Sequence, residues 1–250
     1  MRKYNLKFSA PDSRDFKHVS FLKASILPKK FDLSAEMPPV LDQGSLGSCT
    51  SQSCSNILRH LLKKEDLPEF QPSRLYIYWN TRVAIEGVAP TEDSGCCIRD
   101  VCKALTEYHA CDESFWPYDI TKYAVHPPIE AYKNANVHTG ISYYAIEQNL
   151  LSIKKALYEK FPIMFGIQIY ESLETEEVMK TGIIPMPNTV KEQLYGGHCV
   201  TLTGYNDETH MFTLQNSWGN VGNHGFFNIP YDYVLNPHLA SDFWVLNYFE

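Results

Sequence analysis

One decapeptide restricts this 250-residue chain more than any other stretch: Gln43-Gly44-Ser45-Leu46-Gly47-Ser48-Cys49-Thr50-Ser51-Gln52. Its two glycines permit a turn in which backbone approaches backbone closely. An apolar run with helical spacing, Ile57, Leu58, Leu61 and Leu62, follows at once, so a tight turn must feed directly into a helix. Ser48 fits the N-cap, which puts Cys49 in the first turn of a helix expected over residues 49–64. Lys63 and Lys64 suit its C-terminal end, and Pro68 bars further extension. A thiol in that first turn meets free N–H groups and the positive end of the helix dipole. Both favour the thiolate, which is the nucleophilic form. Gln43, six residues earlier, carries an amide able to donate to a developing oxyanion. The same stretch also reads as a structural cysteine after a glycine-rich turn, because free cysteines are among the most buried residues. The decision lies downstream.

Length and composition bound the answer. A chain of 250 residues can bury a large core as one domain or two halves. Its apolar fraction of 44% and charged fraction of 20% are those of an ordinary globular protein. A net charge of −7 argues against nucleic acid as a partner. No apolar run approaches the length of a membrane span, so no membrane partner is expected either. The first residues, Met1-Arg2-Lys3-Tyr4-Asn5-Leu6-Lys7-Phe8, have a charged lead but no apolar core of a signal peptide, which favours a cytoplasmic or virion-associated location over secretion. Seven cysteines, an odd number, then read mostly as reduced thiols.

Charge is distributed unevenly. Residues 1–27 hold six Lys or Arg against two Asp, a charge of +4 that leaves −11 for the remaining chain. A basic arm on an acidic body is able to dock by charge complementarity. Beyond it, residues 28–41 read as extended, with Pro38-Pro39 forcing non-helical backbone. Helices are expected over 49–64, over 74–80 behind Pro72-Ser73, from Ile98 on the strength of the Ile98, Val101, Cys102, Leu105 spacing, and over 152–160. Trp116 to Asp119 reads as a turn. The second half changes period: runs at 163–169, 199–205, 211–215, 226–229 and 243–246 read as short strands between Gly, Asn and Asp turns. A mainly helical half followed by a β half is an α+β arrangement with a cleft between the two.

Two further segments complete a chemical set. Gly196-Gly197-His198-Cys199 places an imidazole at a strand start with glycine-made space beside it. Gln215-Asn216-Ser217-Trp218-Gly219 ends a second strand with an amide able to orient that imidazole and an indole able to shield the contact. Nucleophile, base and orienter are the parts of a Cys-His-Asn machine. At this point the chain resembles the papain-like cysteine peptidases, in the order of Gln43, Gly47-Ser48-Cys49, Gly197-His198, Asn216-Ser217-Trp218-Gly219 and Gly225-Phe226-Phe227. The resemblance spans roughly residues 28–235.

The resemblance implies a helical left domain, about residues 28–133, and an antiparallel β-barrel right domain, about 134–250, with the active site in the cleft. It implies Cys49, His198 and Asn216 as the catalytic residues and Gln43 with the Cys49 backbone N–H as the oxyanion hole. Ser94-Gly95 would be the strip that pairs with substrate backbone, Gly197 would border the binding cleft, and Trp218 would cover the Asn216–His198 contact. Four departures point to a divergent branch of microbial or viral type: Leu46 where the family has a disulfide cysteine, Thr50 in place of an aromatic, Ser94-Gly95-Cys96-Cys97 in place of Cys-x-Gly-Gly, and a shortened turn after Trp218 without its second Trp.

The implied function is hydrolysis of peptide bonds through a resting thiolate–imidazolium pair and an acyl-enzyme, on peptide or protein substrates, by a monomer with no metal and no other cofactor. Residues 1–27 would form a short, zymogen-like segment that blocks the cleft. Two alternatives use the same fold: acyl transfer to an amine, and a catalytically inactive binding protein. Cys54 and Cys199 read as packed core thiols. Cys96, Cys97, Cys102, His109 and Cys111 match no standard zinc spacing, and a disulfide among those cysteines stays open.

Overall fold

The computed structural model describes residues 2–137 and 139–248; Met1, His138, Phe249 and Glu250 lie outside the described residues. In chain order the helices are α1 (Cys49–Lys64), α2 (Arg74–Trp79), α3 (Ile98–Tyr108), α4 (Ile129–Ala135), α5 (Leu150–Tyr158), α6 (Glu176–Thr181) and α7 (Tyr231–Leu235). The strands are β1 (Lys30–Asp32), β2 (Ile141–Ala145), β3 (Ile163–Tyr170), β4 (Leu194–Asn206), β5 (Met211–Gln215), β6 (Phe226–Pro230) and β7 (Ala240–Tyr248). The expected α+β class is the one observed, and α1 and β5 have the expected bounds. No helix among the described residues is long and apolar enough to cross a membrane.

The α1 helix is apolar on one side and small or polar on the others, yet nearly every residue of it is buried. Ile57, Leu58, Leu61 and Leu62 meet Ile98, Val101, Cys102 and Leu105 of α3 and Trp244 and Leu246 of β7 in one core. Each such side chain, taken from water, contributes about 1.5–3 kcal/mol. The polar residues of α1 survive burial because they are bonded. Asn56 Nδ2 donates to Gln215 Oε1 at 3.0 Å, and Gln215 Nε2 donates to the Pro38 carbonyl at 2.8 Å. These bonds tie the centre of α1 to the end of β5.

The sheet runs β2-β7-β3-β4-β5-β6 in space, antiparallel at every pairing, with β1 added to β4. Its inner face, including Phe165, Ile167, Val200, Leu202, Phe212 and Leu214, forms the second core. Register positions the chemistry. Thr201 pairs with Gln215 across β4 and β5, so Asn216 lies one step beyond the ladder and on the same side as His198, diagonally across. His198 is not at the start of its strand as expected; β4 begins at Leu194, and His198 pairs with Ile167 inside the ladder.

The basic arm lies on this framework. Asn5 forms a bridge with Gly197 and Lys7 with Cys97, so residues 5–7 join one wall of the molecule to the other. Leu6 N–H donates to the Gly197 carbonyl at 3.1 Å and Lys7 N–H to the Cys96 carbonyl at 3.3 Å. Leu6 itself is buried within the core of α1 and α3.

Candidate active site

Cys49 is the first residue of α1, as the Ser48 N-cap reading predicts. The cap works differently from that reading. Ser48 Oγ makes no bond to the helix amides; it contacts Tyr118 Oη at 2.6 Å and accepts from Gln52 Nε2 at 3.1 Å. Tyr118 Oη also donates to the Gln43 carbonyl at 2.9 Å, so a residue read only as part of a turn holds both sides of the Cys49 loop.

Gln43 is fully buried and fixed at four points. Its N–H donates to the Ser217 carbonyl at 2.9 Å, its carbonyl accepts from Tyr118, its Oε1 accepts from Ser217 Oγ at 2.7 Å, and its Nε2 donates to the Leu46 carbonyl at 3.0 Å. An Nε2 group carries two hydrogens, so one remains beyond the Leu46 bond. Ser217 is a positioning residue that the sequence places inside a motif without marking its role.

His198 Nε2 lies 2.8 Å from Asn216 Oδ1. The same Oδ1 accepts the Ser217 N–H at 2.8 Å, which identifies it as oxygen and therefore as an acceptor. His198 must donate from Nε2, and its Nδ1 holds the free lone pair. That Nδ1 is buried and has no hydrogen-bond partner among the described residues. Trp218 stacks on the imidazole with ring centroids 4.9 Å apart and planes 23° apart.

The main-chain amides of Cys199, Thr50 and Cys49 itself turn toward the Cys49 sulfur and draw its pKa down. The Cys199 amide belongs to the residue after His198, so the first turn of α1 meets β4 next to His198 in the chain. Burial outweighs those amides and pushes the thiol up to about 11. Burial likewise pushes His198 down to about 4, against the opposing influence of Asn216. The expected resting thiolate–imidazolium pair is therefore not favoured in this closed arrangement. Both groups are fully desolvated, and the neutral forms cost least in a low dielectric.

The arm adds to this burial. Tyr4 packs edge-on to the His198 ring with centroids 5.9 Å apart and to Trp218 at 6.1 Å. The Asn5 side chain occupies the place where a Cβ on Gly47 would stand. Gly95, at φ +66°, and Gly196, at φ +136°, give passage to the Asn5 and Tyr4 carbonyls, each of which would collide with a Cβ. The space left by glycine beside the imidazole is thus filled by the arm. All four residues expected at the binding strip touch it. Ser94 Oγ accepts from Lys7 Nζ at 3.2 Å, Gly95 faces Asn5, Gly197 accepts from Leu6, and the Arg2 guanidinium lies 4.2 Å from the Trp218 ring centre. Arg2 and Tyr4 also line one end of an open cleft of about 800 Å³, with Asp42, Glu174, Tyr195 and Trp218.

Asp93, which carries no motif in the sequence, is a hub of this region. It accepts Gly47 N–H at 3.1 and 3.2 Å through its two oxygens, accepts from the Tyr78 hydroxyl, and pairs with Lys3 Nζ at 2.5 Å. Its loop is carried by fully buried Arg82, which donates to the carbonyls of Ala89, Pro90, Glu92 and Tyr123. Arg82 sits in a π-helical turn, Asn80–Ile85, that continues α2 beyond its expected end.

All seven cysteines are free. Cys54 and Cys199 pack in the core as expected. Cys96, Cys102 and Cys111 pack in three different clusters and do not converge. The one group of metal-ligating side chains that meets among the described residues is Glu86, Cys97 and Asp100, and Lys7 Nζ sits on Glu86 there at 2.7 Å.

Comparison with known proteins agrees with this geometry. A sequence model of the papain family cysteine proteases matches residues 27–237. An uncharacterised peptidase C1-like protein of Acanthamoeba polyphaga mimivirus is 38% identical, over 95% of this chain and 84% of that protein. The crystal structure of xylellain, a cysteine protease from Xylella fastidiosa, superposes with a TM-score of 0.90 at 35% identity, covering 100% of this chain and 98% of that one. Digestive procathepsin L 3 of the Tenebrio molitor larval midgut shares the fold at 20% identity, with a TM-score of 0.75 over 98% of this chain and 75% of that one. The chain is a cysteine peptidase of the papain family.

Proposed function

We propose that the protein hydrolyses peptide bonds with Cys49 as nucleophile, His198 as general base and acid, and Asn216 as the residue that orients His198. The observation that carries the reading is the His198 Nδ1 lone pair. The Nε2–H bond to Asn216 leaves it free, and it is buried where the first turn of α1 meets β4. In the open cleft Nδ1 takes the proton of the Cys49 thiol, and the sulfur attacks the substrate carbonyl. The Cys49 N–H and the remaining Gln43 Nε2 hydrogen face the oxyanion, a contribution of about 3 kcal/mol for one such donor. His198 then protonates the leaving amine and activates the water that frees the acyl-enzyme.

The second part of the proposal concerns regulation. Residues 2–8 are an occluding segment, and turnover requires their displacement. The support is their position against Gly95, Gly197, His198 and Trp218, and the burial they impose on Cys49.

The test uses a vinyl-sulfone probe and a peptide substrate on the full chain. Cys49→Ala is expected to lose both labelling and hydrolysis while keeping the wild-type melting curve. Full hydrolysis by that variant overturns the catalytic assignment.

A further inference from the structure

The arm touches the cleft in a pattern of period two. Lys3, Asn5 and Lys7 point to the helical wall; Arg2, Tyr4 and Phe8 point to the sheet wall, and Leu6 enters the core between the two. Successive side chains of an extended chain project to opposite sides, so this alternation is what an extended peptide laid in a groove must show. The helical wall answers with carboxylates. Lys3 Nζ reaches Asp93 at 2.5 Å, Asn5 Nδ2 donates to the Asp93 carbonyl at 2.9 Å, and Lys7 Nζ reaches Glu86 at 2.7 Å. The sheet wall answers with ring and glycine surfaces at Trp218, His198, Gly197 and Gly166.

The backbone bonds that hold the arm, from Leu6 N–H to Gly197 and from Lys7 N–H to Cys96, are available to any extended peptide. The carboxylates are not so permissive. The Asp93 and Glu86 side chains are only 6% and 8% exposed, and both are already fixed by neighbouring donors: Gly47 N–H and Tyr78 for Asp93, Cys97 N–H at 2.7 Å for Glu86. When the arm leaves, each keeps its place and loses its counter-cation. Each carboxylate, covered to that degree with the arm in place, is then left without its cation, and a lysine or arginine entering there recovers both the cover and the charge-assisted bond. Asp42 and Glu174 add two further acids beside Arg2, which pairs with Glu174 at 3.1 Å.

We infer that the cleft selects extended basic peptides, with Lys or Arg on the helical-wall side at the positions that Lys3 and Lys7 occupy, four residues apart, and aromatic or aliphatic residues on the other side. The inference rests on the peptidase reading and names its substrate class.

The test is made on the full chain carrying Lys3→Gln and Lys7→Gln, which removes the two arm cations that meet Asp93 and Glu86. Peptides containing Lys-Tyr-Asn-Leu-Lys are compared with versions in which either lysine is Gln. Hydrolysis is read as kcat/KM, and protection of Cys49 from iodoacetamide is read in parallel. Each lysine is expected to improve both by about tenfold. Glu86→Gln keeps an acceptor for Cys97 N–H and is expected to abolish the preference at the Lys7 position alone. Three results overturn the inference: equal hydrolysis and protection by all peptides, a preference that Glu86→Gln leaves intact, or no faster alkylation of Cys49 in the arm variant. Equal hydrolysis of every peptide would leave the peptidase reading standing. Lysine-dependent protection without any hydrolysis would sustain the binding preference and remove the peptidase reading.

Discussion

The two halves of the basic arm are similar in composition and opposite in behaviour. Residues 2–8 carry Arg2, Lys3 and Lys7 among Tyr4, Leu6 and Phe8, and nearly every one of them meets the body. Residues 14–27 carry Arg14, Lys17 and Lys23 among Phe16, Val19, Phe21 and Ile26, and these large apolar side chains face outward, with Phe16 at 78% and Phe21 at 93% exposure. The distal half is held by a few contacts, among them His18 Nε2 to Glu159 at 2.9 Å and Lys17 to Glu147 at 3.0 Å. The difference shows that basic charge over an acidic body does not dock a chain by itself. The proximal half meets carboxylates that are nearly buried, glycines that admit its backbone and an apolar gap that takes Leu6. The distal half has one mostly buried pair, His18 with Glu159, and its lysine pair with Glu147 is exposed on both sides, where water and salt mostly cancel the attraction.

The largest expected effect breaks the charge pairing. Lys3→Glu with Lys7→Glu is expected to raise turnover of a small peptide substrate by about 100-fold, from roughly 1.4 kcal/mol for each ion pair broken. Lys17→Glu with Lys23→Glu is expected to stay within about twofold, since the Lys17–Glu147 pair is exposed on both sides. A large effect of the distal pair would erase the contrast between the halves.

Apolar packing gives the next effect. Leu6→Ala removes a buried side chain and is expected to weaken the arm by about 2 kcal/mol, read as faster exchange of the Lys7 amide. Phe21→Ala is expected to change exchange and melting by less than about 0.5 kcal/mol.

Glycine substitutions separate strain from collision. Gly87 and Gly95 both have positive φ, but a Cβ on Gly87 meets open space and one on Gly95 meets the Asn5 carbonyl. Alanine at either site is expected to cost about 1 kcal/mol of stability. Only Gly95→Ala is expected to speed labelling of Cys49, by about tenfold.

The smallest effect is a titration. With the arm in place His198 is expected to titrate near 4 instead of its usual 6.5, followed by the NMR shifts of its ring. The sign follows from linkage. The uncovered imidazole takes a proton below 6.5 and the covered one does not, so the covered state loses stability as pH falls from 6.5 toward 4. In the Lys3→Glu, Lys7→Glu variant the midpoint is expected to return toward the ordinary value.

Much of this is legible in the sequence. Pro, Gly and Lys punctuation bounds α1, and strict alternation bounds β5, because each has clear stops. The proposed catalytic set is legible because its three members sit in glycine-flanked segments whose order is distinctive. The short helices α4 and α6 are not, since three or four turns of apolar period are needed to tell helix from loop and they have fewer than two. Asp93 is invisible for another reason: a lone carboxylate in a loop gains its role from Gly47, Tyr78 and Lys3, none of them near it in the chain. Local sequence misleads on the protonation state of the site, because the helix-end amides act on Cys49 as expected but burial by a distant segment acts more strongly.

The central claim is that the proximal arm keeps Cys49 covered and neutral. Alkylation of the full chain with iodoacetamide at neutral pH, mapped by mass spectrometry, tests it most directly, with half-buried Cys97 as the internal reference. The predicted result is that Cys49 reacts more slowly than Cys97 in the native protein and overtakes it in the Lys3→Glu, Lys7→Glu variant. Rapid labelling of Cys49 in the native chain, unchanged by the variant, would contradict the account.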